Sequence, residues 1–197
     1  MGSQPLSLFE SRIIGTMKSE DGETFSITIG LNQEIVNQLK ERSLDTTDED
    51  LQKNTSDYQR FGTGSYEEWY AKDRTPFALV NQKGSLAALA WFGPKPLGRK
   101  SLRHLSDVEL KKENEQEKGV WHTIVYRSYA PYRGKKLMVP FMRFAIGEYK
   151  KQYPEAKLWA GVSTDNVGSL ALAQRLGFKV DPASVDHASH WCALIEE

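Results

Sequence analysis

The chain has 197 residues, and its 26 basic side chains balance 26 acidic ones. That length suits one domain with a substantial core, and that balance argues against nucleic-acid binding through bulk electrostatics. No apolar run approaches the ~20 residues of a membrane span. No signal-peptide pattern opens the chain, the single Cys192 fits a reducing cytoplasm, and no Cys/His cluster has zinc spacing.

Residues 1–20 carry no strong periodicity and read as a tail. In Glu23–Ile29, Phe25, Ile27 and Ile29 alternate with polar residues, which predicts a half-buried strand. Leu31–Leu44 places Leu31, Ile35 and Leu39 on one side of a helix. Asp45–Thr55 is acidic and aperiodic and reads as a mobile loop. Ser56–Lys72 reads as two short helices around a Gly-containing break, with Tyr58, Phe61, Tyr66, Trp69 and Tyr70 either packing on a sheet or lining a pocket. Pro76–Asn81 and Ser85–Phe92 are apolar on both faces, as central strands are, with a short turn at Gln82-Lys83-Gly84. Residues 93–119 read as a charged excursion. Ser106-Asp107-Val108-Glu109 fits a capping box that would open a surface helix.

The most informative stretch runs from Val120 to Phe178. Val120–Tyr126 is β-branched and aromatic and predicts a buried strand. A turn containing Tyr132-Arg133-Gly134-Lys135-Lys136 follows. A helix over about 137–152 then presents Leu137, Phe141, Phe144, Ala145 and Tyr149 on one stripe and ends before Pro154. Lys157–Val162 is a second strand, and Asn166–Leu176 a second helix closed by Gly177. Two parallel strands joined by a helix put the basic turn where free N–H groups and the helix dipole favour an anion. The turn is therefore either a phosphate cradle or an ordinary βα turn with solvated lysines. Beyond Phe178, a short strand at 179–181, a turn at 182–184 and a last strand at His190–Ile195 complete the chain. The apolar Trp191–Ile195 is either an edge open to a second copy in a homodimer, as the resemblance described below implies, or a central buried strand.

Tyr132-Arg133-Gly134-Lys135-Lys136-Leu137 resembles the pyrophosphate loop of the GNAT superfamily of N-acetyltransferases. Asn166 through Arg175-Leu176-Gly177-Phe178 resembles that family's second signature, an Asn-opened helix closing on Leu-Gly-Phe. Two positions depart from the pattern. Pro131 stands at the first Gln/Arg position and Lys136 at the last Gly/Ala position, where its side chain would crowd a diphosphate or swing outward. The resemblance implies one α+β, GNAT-like (acyl-CoA N-acyltransferase) domain over residues 1–197, with about seven strands in a mixed sheet, about four helices, and 93–119 as an insertion.

It also implies direct transfer of an acetyl group from acetyl-CoA, the cosubstrate, to a small-molecule amine or amino-terminal group. The implied cosubstrate contacts are Arg133, Gly134, Lys135, Lys136, Leu137 and Met138 for the diphosphate. A backbone donor near Arg127 or Ser128 would serve the thioester carbonyl, and Asn166 and Ser169 the pantetheine arm. Family members carry a Tyr after the Gly-Phe as general acid. No Tyr follows Tyr153 here, and His187 falls near that place. His122 is the candidate base, with a water chain as its equal. A non-catalytic acyl-CoA-binding module is the rival expectation. A P-loop nucleotide binder lacks its motif.

Overall fold

The computed structural model describes residues 6–98 and 120–196. Eight strands form one sheet: β1 Arg12–Lys18, β2 Thr24–Ile29, β3 Thr75–Asn81, β4 Leu86–Pro94, β5 Trp121–Ser128, β6 Lys157–Ser163, β7 Phe178–Val180 and β8 Trp191–Glu196. Their spatial order is β1-β2-β3-β4-β5-β6-β8-β7, and only β5 and β6 run parallel. The helices are α1 Gln33–Leu44, α2 Glu49–Asn54, α3 Tyr66–Tyr70, α4 Met138–Gln152 and α5 Val167–Arg175. A π-helical turn spans Tyr58–Gly62 and a 3-10 turn Pro182–Ser184.

The central strands are buried on both faces because helices cover both. Ala88, Ala90 and Phe92 of β4 meet α4 through Phe141, Met142, Ala145 and Tyr149. The alternate residues Leu89 and Trp91 meet Ile35, Leu39, Phe61 and Trp69 on the other side. Phe92 stacks on Tyr149 with ring centroids 4.5 Å apart. The period-2 strand pattern thus feeds two separate cores. Cys192 is buried on β8, and burial pushes its thiol up from the ordinary value, so it packs as a small hydrophobe.

Most of the expected elements are present, with two corrections and one open alternative decided. The tail expected over residues 1–20 contains β1, an edge strand paired along β2, with a register shift between Ile13 and Gly15. The loop expected at 45–55 contains α2. Asp48 caps it by accepting from the Leu51 N–H at 3.0 Å, and Leu51 is its one buried side chain. β8 is paired on both sides, by β6 and β7, so Trp191–Ile195 is an interior strand and not a free edge. The helix expected from residue 107 lies outside the described residues. No helix among the described residues is long and apolar enough to cross a membrane.

Phe141 is fully buried between α4 and the sheet. Phe141→Ala is expected to lower unfolding free energy by about 3–5 kcal/mol, read as a shift in urea midpoint at unchanged slope.

Candidate active site

β5 and β6 are paired only from Trp121↔Lys157 to Thr123↔Trp159. Beyond Thr123 they part, while β5 stays paired with β4 through Ser128. In that antiparallel ladder the bonded pairs fall on odd residues of β5, since Tyr129 N–H donates to Ala87 and Lys95 N–H to Trp121. The C=O of Ile124 and the N–H and C=O groups of Tyr126 and Ser128 therefore face the gap, the Ile124 N–H closing the last rung with β6. Two of those carbonyls are occupied. Arg127 donates from Nη1 to the Tyr126 carbonyl at 2.8 Å, and Arg133 from Nε to the Ser128 carbonyl at 2.8 Å. The gap edge of β5 is left with the N–H donors of Tyr126 and Ser128, two arginine-capped carbonyls and the Ile124 carbonyl, and the two donors suit a developing negative charge.

A cleft of about 850 Å³ opens at the parting. One wall is β5 from Ile124 to Ser128, another β6 from Ala160 to Ser163. Its ends are the turn before α4 and the start of α5. Nine of the ten residues expected to hold a cosubstrate line it: Arg127, Ser128, Arg133, Gly134, Lys136, Leu137, Met138, Asn166 and Ser169. Lys135 does not. Its ammonium lies 3.4 Å from Asp21 and 3.8 Å from Glu23, over the Tyr132 ring.

The turn is built to approach an anion with backbone. Gly134 has φ +79°, and a Cβ built there would meet nothing within 4 Å. α4 begins without a side-chain cap and without an acidic residue in its first turn. Among the described residues, the N–H groups of Leu137, Met138 and Val139 have no hydrogen-bond partner. Free N–H groups, a positive dipole end and room for a ligand fit a diphosphate.

The basic side chains do less than the sequence suggests. Arg133 is clamped on Asp48 at 2.7 and 2.6 Å, so it ties the turn to α2. That bidentate contact holds the Asp48 carboxyl below its usual range and raises the guanidinium. Lys136 occupies the left-handed region at φ +59°, a conformation that Gly adopts without a Cβ penalty. Its side chain swings outward and its ammonium pairs with Glu20 at 3.0 Å, 72% exposed. Of the two outcomes for Lys136, the structure has the outward one.

Both candidate histidines lie outside the cleft. His122 shares its face of β5 with Ile124 and Tyr126, but sits where β5 and β6 are still paired. Tyr149 and Tyr153 cover it there, and its Nδ1 hydrogen-bonds the Tyr149 hydroxyl. Burial, then Arg74, lowers its pKa and keeps it neutral at pH 7. His187 is exposed in the turn before β8. The side chain that does enter the cleft is Tyr126. Its hydroxyl donates to the Ser169 carbonyl at 2.9 Å and lies 3.0 Å from Ser169 Oγ. Burial pushes the phenol up to about 12, so it stays protonated. Asn166 caps α5 by accepting from the Ser169 N–H at 3.0 Å, and its Nδ2 is left without a partner among the described residues.

A second cavity, of about 370 Å³, lies against the opposite face of the sheet. Trp69, Trp91, Trp159 and Trp191 wall it, so of the helical aromatics Trp69 both packs and lines. Its basic lining residues are Lys53, Arg60, Lys72, Arg74, Lys95 and Arg127; its acidic ones are Glu68 and Asp165. Asn54, Thr55, Val125, Arg127, Gly161 and Ser163 line both cavities, so the two meet where the strands part.

Between them sits a buried ion trio. Asp57 accepts from Arg127 Nε at 2.6 Å and Nη2 at 3.0 Å, and from Arg60 Nη1 at 2.7 Å. Both guanidinium groups stack on Trp91, at 5.0 and 5.4 Å from the ring centroid. Burial alone would raise the Asp57 carboxyl, but Arg127 and then Arg60 outweigh it and hold it low. The Tyr126 hydroxyl, the Trp cavity and Asp57 were not singled out from sequence. Only the strand's alternation, with Tyr126 and Arg127 on opposite faces at the parting, carried a trace of them.

No family profile matches the sequence, and no curated protein does. Solved structures do. The GNAT domain of S. lividans PAT superposes with TM-score 0.61 at 13% identity, over 92% of this chain and 94% of that one. The acetyltransferase from Agrobacterium tumefaciens str. C58 gives 0.57 at 14%, over 100% and 99%. Spermidine N-acetyltransferase from Vibrio cholerae, in complex with CoA and spermine, gives 0.56 at 12%, over 86% and 92%. The chain has the fold of the GNAT acetyltransferases.

Two predictions follow from this geometry. The low Asp57 carboxyl contributes stability in full above its unfolded value of about 3.9, and that contribution is lost as pH falls toward the folded value. Asp57→Asn, which removes the carboxylate shared by Arg127 and Arg60, is expected to lose about 3–5 kcal/mol at pH 7 and to show a flatter acid limb in urea unfolding across pH 3–7. Because Lys136 points away, Lys136→Gly is expected to leave acetyl-CoA affinity within about threefold by calorimetry. A tenfold tightening would mean the lysine crowds the cleft after all.

Proposed function

We propose that this chain is an acetyl-CoA-dependent N-acetyltransferase that moves an acetyl group directly to the amine of a small molecule. The observation that carries this reading is the meeting of two cavities at the parting of β5 and β6. One is ended by a helix N-terminus suited to a diphosphate, the other comes from the opposite face. Direct transfer needs donor and acceptor to approach from two sides onto one carbon, with the amine in attack geometry.

Acetyl-CoA supplies an activated thioester to such a site. The N–H groups of Leu137 to Val139 would hold the diphosphate, with Gly134 giving the backbone room. Asn166 Nδ2 would donate to an amide carbonyl of the pantetheine arm. The N–H of Tyr126 or Ser128, on the arginine-capped edge of β5, would stabilise the oxyanion; the Arg127 N–H is committed to β4. A protonated ammonium must lose its proton before attack. His122 is enclosed on the far side of α4's end, so the alternative weighed beside it, a water chain, is the reading we adopt. The Tyr126 phenol, rather than His187, would return a proton to the leaving thiolate. It is protonated at pH 7 and held by Ser169 at the cleft wall.

Acetyl-CoA at ~100 times its dissociation constant is expected to stabilise the protein by about 2.7 kcal/mol, a rise of several degrees in Tm, with ATP giving less. Tyr126→Phe is expected to lower kcat about 100-fold while sparing acetyl-CoA binding, and His187→Ala to leave kcat within about twofold. Stabilisation by acetyl-CoA with no thiol released from any amine would leave an acyl-CoA-binding module in place of the enzyme. Equal stabilisation by ATP would point to a nucleotide site.

A further inference from the structure

Two oxygens of Ser169 touch the Tyr126 phenol, and they serve it differently. We infer that Ser169 is a positioning residue for the leaving-group step: its hydroxyl donates to the Tyr126 oxygen and holds the phenolate that forms when the phenol's proton passes to sulfur. The inference rests on the acetyl-transfer reading above, in which Tyr126 is the acid.

Counting protons assigns the donor. Tyr126 Oη lies 2.9 Å from the Ser169 carbonyl oxygen and 3.0 Å from Ser169 Oγ. A phenol has one proton and a carbonyl has none. The carbonyl therefore takes the phenol's proton in the resting state, and the second contact is the Ser169 hydroxyl donating to Oη. That hydroxyl has no other partner among the described residues and makes no bond back to its own helix. The Ser169 N–H is held by Asn166 Oδ1 at 3.0 Å, which fixes the residue that carries both contacts.

The same geometry becomes a problem once the phenol acts. To reach sulfur its O–H must turn away from the carbonyl. A negative oxygen is then left 2.9 Å from a carbonyl oxygen, a repulsive pair at a partly buried wall. The Ser169 O–H, already aimed at Oη, offsets that repulsion. A hydrogen bond to an ionised group is about twice as strong as one between neutral groups, so this contact tightens as charge develops. Ser169 is also in the first turn of the nine-residue α5, whose positive end favours an anion.

The surrounding charges leave that part to Ser169. Arg127 adjoins Tyr126 on β5, and the other charged residues lining the cleft are Arg133 and Lys136 before α4, Arg175 of α5 and Asp50 of α2; β6 contributes none. Arg127, Arg133 and Lys136 are paired with Asp57, Asp48 and Glu20. Among the described residues, the Ser169 hydroxyl is the one side-chain donor in contact with Oη.

In the step, the thioester C–S bond breaks, an S–H bond forms and the Tyr126 O–H bond breaks. Ser169 keeps its own proton throughout. The phenolate regains a proton from water as the thiol leaves.

The test uses Ser169→Ala and Ser169→Thr in the full chain. Ser169→Ala is expected to lower kcat about tenfold while acetyl-CoA affinity stays within about twofold by calorimetry. Ser169→Thr, which keeps the hydroxyl, is expected to stay within about twofold of the parent in both. In a Tyr126→Phe background, Ser169→Ala is expected to cost nothing further. A third readout needs no cosubstrate. A fluorinated tyrosine placed at position 126 alone ionises at lower pH, and Ser169→Ala is expected to raise its absorbance midpoint by about one pH unit. An unchanged kcat in Ser169→Ala, or an unmoved midpoint, would overturn the inference. So would an equal loss of kcat in the Tyr126→Phe background, since the hydroxyl would then act on something other than the phenol. Weaker acetyl-CoA binding at unchanged kcat would make it a cosubstrate contact only. A normal kcat in Tyr126→Phe would overturn the acid reading itself, and the step with it, even with the midpoint moved.

Discussion

Everything the candidate site can do depends on where β5 stops pairing with β6. Three residue pairs hold the strands together, and then backbone that would have been consumed in a ladder is left facing a gap. An unpaired strand edge is ordinarily a liability. Here it is half-neutralised from within: two arginines take the Tyr126 and Ser128 carbonyls and leave the donors beside them. The parting makes room for a ligand, supplies the N–H groups that would polarise a carbonyl, and joins cavities on opposite faces. α4 and α5 serve it from either end, one by presenting its uncapped start, the other by carrying Asn166 and Ser169 to the cleft wall.

The ion pairs around the site mostly hold elements in place. Arg133 and Asp48 are 85 residues apart in sequence and bind α2 to the turn before α4. Arg127 and Asp57, 70 residues apart, bind the π-helical turn to β5. Truncating either partner leaves a charge in a poorly hydrated place, so such pairs make the arrangement specific even where their net stabilisation is small. Arg127 lines both cavities and Arg133 the cleft, which couples the packing of the N-terminal helices to the geometry of the cleft.

Much of the C-terminal half was legible because its signals are local. The stripe on α4, the Asn166 cap and the Gly177 stop are short-range features, and the structure reproduces them within a residue or two. What was not legible is long-range. β1 has Ile13 mostly exposed and a register shift beside it, so its alternation is broken and only its partner β2 defines it as a strand. α2 has one apolar anchor, Leu51, and is stabilised by a cap that Arg133 also holds. The histidines were chosen by residue type and spacing. Position along β5 decided against His122, because two residues separate enclosed sheet from open gap. Arg133 looked like a phosphate ligand until its distant carboxylate was in view.

The hairpin between β1 and β2 brings Glu20, Asp21 and Glu23 against the lysines of the diphosphate turn. The chain thus carries its own counter-ions at that turn. With both ammonium groups already paired, the turn presents its backbone N–H groups to an arriving phosphate rather than a bare basic patch. Stray inorganic anions, which are drawn chiefly by loose positive charge, find little of it there. Discrimination at this end of the cleft is therefore helped by acidic residues that never appear in a motif.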